Sequence, residues 1–285
     1  MKSKLIPLLC ITLHLCAQGA WAQVPDGSDM HLPRTPFRLQ SRAEVQLPPA
    51  VDNSTRKFFP PILDQMGGSC AQASGIGYMF TYEINRLLDR DAHASADHRF
   101  SYQFSWNLLN DGQDQGDFVD QGLYLSERYG IMTEQDYGIS GTYQFKWATG
   151  YDKYYKALQY RTQEVLTFAD SIPLMKRWLY DAGDGSAVGG VLTFSAMSRG
   201  WEIDDDYQGP SLTGYRSLLK GLATDGAHAL TIAGYDDTVV YTDAQGTPHT
   251  GAFIVVNSWG THSHDHGRFY LPTTFSVMPA CPNSN

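Results

Sequence analysis

The chain has 285 residues, 42% of them apolar and 18% charged, with 21 Lys+Arg against 30 Asp+Glu. That length and composition suit one large domain or two halves sharing a cleft, and they exclude wholesale disorder. A formal charge of −9 without a basic cluster excludes a nucleic-acid binder held by phosphates, and four cysteines are too few for a disulfide-rich scaffold.

Residues 1–22 read as a secretory signal. Lys2 and Lys4 form the basic start, and 5–16 is a mostly apolar stretch too short to span a membrane. Ala20 and Ala22 supply small residues where a signal peptidase reads. Its removal takes Cys10 and Cys16 with it and leaves Cys70 and Cys281 in an exported, periplasmic or extracellular protein. Those two could form one disulfide, or one could be kept as a thiol for chemistry. Residues 23–46, with Pro25, Pro33 and Pro36, have little helical periodicity and are expected to be a short leader. Such a leader is expected to lie extended across the cleft as an inhibitor, the alternative being a protein active on export; a loss of activity on its removal would instead make it a structural segment.

Cys70 follows Gly67-Gly68-Ser69 and opens a helical pattern. Ile76, Phe80, Ile84, Leu87 and Leu88 recur at spacings of three and four, with Gln72, Glu83, Asn85 and Arg86 between them. Ser69 is the expected N-cap, which places Cys70 in the first turn. Unpaired N–H groups and the helix dipole there favour a thiolate, the nucleophilic form. A buried structural cysteine fits the same pattern. The helical reading runs to about Tyr137, and 187–272 is dominated by short alternating strands.

His228 begins a strand-like run to Tyr235, with His228, Leu230 and Ile232 on one face. A second run, 252–257, ends in Asn257-Ser258-Trp259-Gly260. Between them Val239-Val240-Tyr241 and a turn at 243–246 suggest an antiparallel meander. Adjacent strands can set the Asn257 amide oxygen against the His228 imidazole, the arrangement a nucleophilic thiol needs for its base. A packed strand histidine is the bland alternative. His262, His264 and His266 alternate as zinc ligands would on an extended segment, and Glu202 with 204–206 is an acidic run that could bind calcium. A polar loop and a solvated acidic turn explain these two patterns more simply, so neither metal nor cofactor is expected.

The segments Gln65 to Cys70, Asp225-Gly-Ala-His228-Ala229 with Gly234-Tyr235, and Asn257-Ser258-Trp259-Gly260 resemble the three motifs of the papain-like cysteine peptidases, in the family's order. Leu47 to Asp52 resembles the start of the mature enzyme. Tyr129-Gly130-Ile131 through Asp136-Tyr137 and Gly267-Arg268-Phe269-Tyr270 are similar to further family segments. The resemblance implies an α+β, two-lobed papain-like fold. A helical lobe at about 57–150 would face an antiparallel β-barrel-like lobe at about 151–285 across the cleft, within a catalytic domain spanning 47–285.

It further implies that Cys70 is the nucleophile, His228 the base and Asn257 its orienting partner. Gln65 would supply the oxyanion hole, and Trp259 would shield the His228–Asn257 bond. The implied chemistry is peptide hydrolysis through a Cys70 thiolate/His228 imidazolium pair and a thioester, with a peptide or protein as partner. An amidase or acyl transferase on the same scaffold, or a binding protein with a retired site, would be the alternatives.

Gly116 and Asp117 resemble the glycine pair that binds substrate backbone, with Asp117 in place of the second glycine. Ala71 stands where the family usually has Trp, and Gly67 where many members have a disulfide-forming Cys. The turn from Gln65 to Cys70 is one residue shorter than usual.

Overall fold

The structure, a computed structural model, describes residues 12–14, 34–39, 45–138, 147–168, 171–243 and 245–275. Apart from Thr12–His14, the expected signal segment lies outside them, as does Cys281. No helix among the described residues is long and apolar enough to cross a membrane.

The helix that starts at Cys70 is the central rod. This helix, α1, comprises Cys70–Gln72, the π-wound Ala73–Phe80 and Thr81–Leu88. Ile76, Phe80 and Ile84 are fully buried as the apolar spacing predicts, but Leu87 and Leu88 are exposed. The polar residues between them do not form a solvated face. Gln72, Glu83 and Asn85 are buried, because the helix is covered on every side between residues 71 and 85.

Several of these buried polar side chains have specific partners. Glu83 accepts from Arg86 at 2.7 Å and from the Val191 N–H at 3.1 Å, and the Asn85 amide donates to the His98 carbonyl at 2.8 Å. Ser74 joins the hydroxyls of Thr193 and Thr231 at 2.5 and 2.9 Å, a polar rivet between helix and sheet.

Around α1 pack α2 (Tyr102–Asn110), α3 (Val119–Tyr129), the single turn Glu134–Tyr137 and α4 (Tyr151–Ala157). Their starts follow local capping rules. Ser101 accepts from the Phe104 N–H, and Thr133 from the Asp136 N–H. Their shared core contains Phe59, Tyr78, Phe80, Phe100, Phe104, Leu123 and Ile131.

The strands are β1 (Thr12–His14), β2 (Arg34–Pro36), β3 (Ala50–Asp52), β4 (Val165–Thr167), β5 (Leu192–Arg199), β6 (Glu202–Asp204), β7 (Leu218–Gly221), β8 (Asp225–Thr242), β9 (Pro248–Val256) and β10 (Arg268–Pro272). The main sheet has the order β1-β5-β8-β9-β10-β7-β6, with β3 also on β8, and β2 pairs with β4 apart from it.

The expected lobe is found as a mostly antiparallel sheet. Among the described residues the sheet is an open path, and β1–β5 and β10–β7 are parallel pairs. The β8–β9 hairpin fills the middle, so β10 returns beside β9 and meets β7 on its far edge. The runs around His228 and Val239 are one bent strand, with register shifts at Ile232/Gly234 and Asp236/Val240.

Strand β8 is buried on both faces. Leu230, Ile232 and Tyr235 join Trp178, Phe253 and Phe269 in a second core, under α5 (Ile172–Asp181). Ala229 and Ala233 turn to the α1 core, where small side chains let helix and sheet approach closely. Strand β3 crosses so near Gly234 that a Cβ there would stand 2.1 Å from the Val51 carbonyl oxygen.

Of the leader, Arg34–Pro36 pairs in parallel with β4, and Phe37 stacks on Phe168 at 4.3 Å with Trp178 edge-on at 5.7 Å. This part is docked on the second core.

Candidate active site

Cys70 stands at the first turn of α1, half-buried and free. The turn before it is clamped from the side. The Gly68 N–H donates to Asp114 at 2.8 Å, and a Cβ at Gly68 would lie 2.9 Å from the Gln115–Gly116 peptide, so only glycine lets the two chains touch. Ser69 occupies the N-cap position but makes no capping bond, and its buried hydroxyl has no partner, contrary to the expected cap. The N–H of Ala229, the residue after His228, stands close enough to the thiol to favour its ionised form.

His228 lies on β8 opposite Ala196. Asn257 follows the last residue of β9, and its N–H is held by the Gly267 carbonyl at 2.9 Å. The structure brings the two together, with His228 Nε2 and Asn257 Oδ1 2.8 Å apart. Because Nε2 is engaged there, Nδ1 is the ring nitrogen left for a thiol. The indole of Trp259 covers the imidazole face to face, with centroids 4.6 Å apart and 21° from parallel.

Gln65 is fixed to the same turn. Its N–H donates to the Ser258 carbonyl at 2.7 Å, its side-chain oxygen accepts from Ser258 Oγ at 2.6 Å, and its amide nitrogen donates to Gly67 at 3.0 Å.

Burial dominates the electrostatics. It pushes the Cys70 thiol up, aided by the negative charge of Asp117 and opposed by the N–H groups of Ala229, Ala71 and Cys70. It pulls His228 down to about 4, against the Asn257 bond that favours the charged ring. Both directions are the reverse of the lowered thiol and raised imidazole expected at a helix start, because lost hydration outweighs the local dipoles.

Gly116 is exposed with open space around it. The Asp117 carboxylate accepts from Gln72 at 3.0 Å and from Asn110 at 3.1 Å, and burial raises it to about 7. It therefore clamps its own loop to α1.

The histidines at 262–266 do not share one face. His264 and His266 have φ of +53° and +50°, which breaks the extended alternation. His262 lies against Gly260 and His266 is mostly exposed, whereas His264 turns inward to Asn257. The acidic run is dispersed onto protein partners, Asp204 on Lys220, Asp205 on Ser217 and Asp206 on Arg216. Among the described residues no group of three or more metal-ligating side chains gathers.

In the sequence His264 reads as part of a polar loop or as a metal ligand, not as a partner of Asn257. Its position just after the Asn257-Ser258-Trp259-Gly260 segment was the available signal for a role beside Asn257.

No protein-family model and no curated protein matches the sequence. Solved structures are. Xylellain, a cysteine protease from Xylella fastidiosa, matches with a TM-score of 0.59 at 19% identity over 85% of this chain and 86% of that one. Procathepsin B S9 from Trypanosoma congolense matches with 0.59 at 17%, over 90% and 80%. The proform of Amb a 11, a cysteine protease and ragweed pollen allergen, matches with 0.50 at 16%, over 81% of this chain and 61% of that one. The fold is α+β and papain-like.

Proposed function

We propose that this protein is an exported cysteine peptidase in which Cys70 attacks the peptide carbonyl, His228 carries the proton and Asn257 orients His228. The observation that carries the reading is the 2.8 Å bond from His228 Nε2 to Asn257, on the strand whose next N–H meets the Cys70 thiol.

Burial favours a neutral thiol and a neutral imidazole at rest, so the proton passes from Sγ to Nδ1 as the C–S bond forms. The Gln65 amide, which keeps one N–H beyond its bond to Gly67, and the Cys70 N–H would be the donors to the developing oxyanion, where one side-chain donor is typically worth about 3 kcal/mol. His228 then protonates the leaving amine. Water, deprotonated by the same ring, hydrolyses the thioester and restores the thiol. The exposed strip at Gly116 offers its backbone to an extended peptide.

The test is hydrolysis of an unfolded protein, with and without an irreversible thiol reagent. Turnover that the reagent stops, and that Cys70→Ala lacks while keeping its melting temperature, supports the reading. Turnover that survives either treatment overturns it. Acyl transfer to added amines in place of hydrolysis would mark a transferase. A second recombinant form with 1–22 retained, followed through a bacterial envelope, tests export; full-length protein kept in the cytoplasm would refute it.

A further inference from the structure

A second imidazole stands behind Asn257. Asn257 is fully buried, and its Oδ1 accepts from the Ser258 N–H at 2.8 Å as well as facing His228. A backbone N–H only donates, so the atom it meets is the amide oxygen, and the amide nitrogen must turn the other way. There it meets His264 Nε2 at 3.2 Å.

An amide nitrogen only donates, so Nε2 is unprotonated and a neutral ring keeps its proton at Nδ1. Nδ1 is buried with no closer acceptor, and the carboxylate it faces is Asp205, at 3.5 Å. Asp205 is steadied by the Ser217 hydroxyl at 2.6 Å.

The ring is packed edge-on to Phe269 and tilted against Trp259. It is held there by a residue at φ +53°, a conformation that costs a histidine free energy and a glycine none. Of the neighbouring titratable groups, Asp265 is turned to the Arg216 N–H and His266 to solvent, which leaves Asp205 and His228 as those facing the ring.

We propose that His264, faced by Asp205, is a positioning residue that accepts a hydrogen bond from the Asn257 amide N–H and thereby locks the amide oxygen onto His228. The role rests on the peptidase reading for its consequence. When His228 becomes positive, the amide it bonds is polarised, and His264 and Asp205 lie at the end where that polarisation is favourable. Burial lowers the basicity of His264, in keeping with a ring that stays an acceptor.

The test uses His264→Gly and His264→Gln in the otherwise complete chain. Glycine removes the imidazole while relaxing the backbone, so the fold is retained, and glutamine restores an acceptor near the place of Nε2. His264→Gly is expected to lower kcat about tenfold with KM within about twofold. It should slow alkylation of Cys70 by iodoacetamide in parallel, and His264→Gln should recover most of both. Wild-type rates in the glycine variant overturn the proposal, as does a glutamine variant no better than glycine. Alkylation gives its answer even if no peptide is cleaved, whereas a wild type without turnover strikes only the peptidase reading.

Discussion

The imidazole of His228 and the indole of Trp259 lie flat against each other, 4.6 Å between centroids. Trp259 thus supplies much of the burial that holds His228 down to about 4. Trp259→Ala admits water to the ring and should move its pKa up toward the free value of about 6.5. A protonated His228 cannot take the thiol proton, so the variant should lose activity near pH 5, where the parent retains it. Trp259→Phe keeps an aromatic face and should keep the acid limb in place. The pH dependence of kcat/KM measures this, and an unshifted limb in the alanine variant would mean that the indole is not what excludes water.

Asp117 carries a different pH effect. Its carboxyl is raised to about 7, and once ionised it raises the Cys70 thiol. Below about 7 it is neutral and the thiol deprotonates more readily; above 7 its charge holds the proton on sulfur. Asp117→Asn removes that charge at every pH. Alkylation of Cys70 at pH 8 should become about two- to fivefold faster, and an inflection near 7 in the wild-type profile should vanish. Persistence of that inflection in the variant would assign it to another group.

The Glu83–Arg86 pair tests the join between helix and sheet. Glu83 is almost wholly enclosed and also accepts from Val191 at 3.1 Å. Glu83→Ala leaves a largely buried guanidinium and a buried N–H without their partner, which should cost about 3–5 kcal/mol. The double variant Glu83→Leu with Arg86→Met should recover much of that, since it leaves no unpaired charge. Denaturant unfolding of the two variants decides. A single variant as stable as the parent would show that the pair is not what secures this contact.

How much of this was legible in the sequence follows from how local each signal is. Cys70 at a helix start, His228 on a strand and Asn257 at a strand end are set by short-range pattern, and the spacing of Ile76, Phe80 and Ile84 found the buried helix. That spacing did not show that Gln72, Glu83 and Asn85 are buried as well, because periodicity cannot tell a surface helix from a rod enclosed by two layers. The order of the strands in the barrel-like lobe could not be read, because it is fixed by long-range pairing, and the parallel contact of Tyr270 with Leu218 leaves no mark in either segment. The directions at Cys70 and His228 were missed for a related reason. A helix dipole can be read from position, whereas desolvation depends on everything packed around the site. His264 was visible as a residue but not as a partner, because its left-handed backbone turns the ring inward.

The docking of Phe37 yields the final prediction. The expectation from the sequence is that 23–46 lies across the cleft, with a structural role as an alternative, and the described part pairs with β4 and buries Phe37 against Phe168 and Trp178. Protein beginning near Leu47 loses that strand and uncovers those two rings. It should melt at a lower temperature than protein beginning at Gln23, without any gain in kcat on the same peptide. Phe37→Ala in the longer form should reproduce most of the loss, about 3 kcal/mol for a buried aromatic side chain. The variant matters because truncation alone cannot separate lost packing from lost length. A truncated form that turned over faster at unchanged stability would reverse the assignment and make the leader an inhibitor; equal stability and equal rates would leave Phe37 no role in holding the second core.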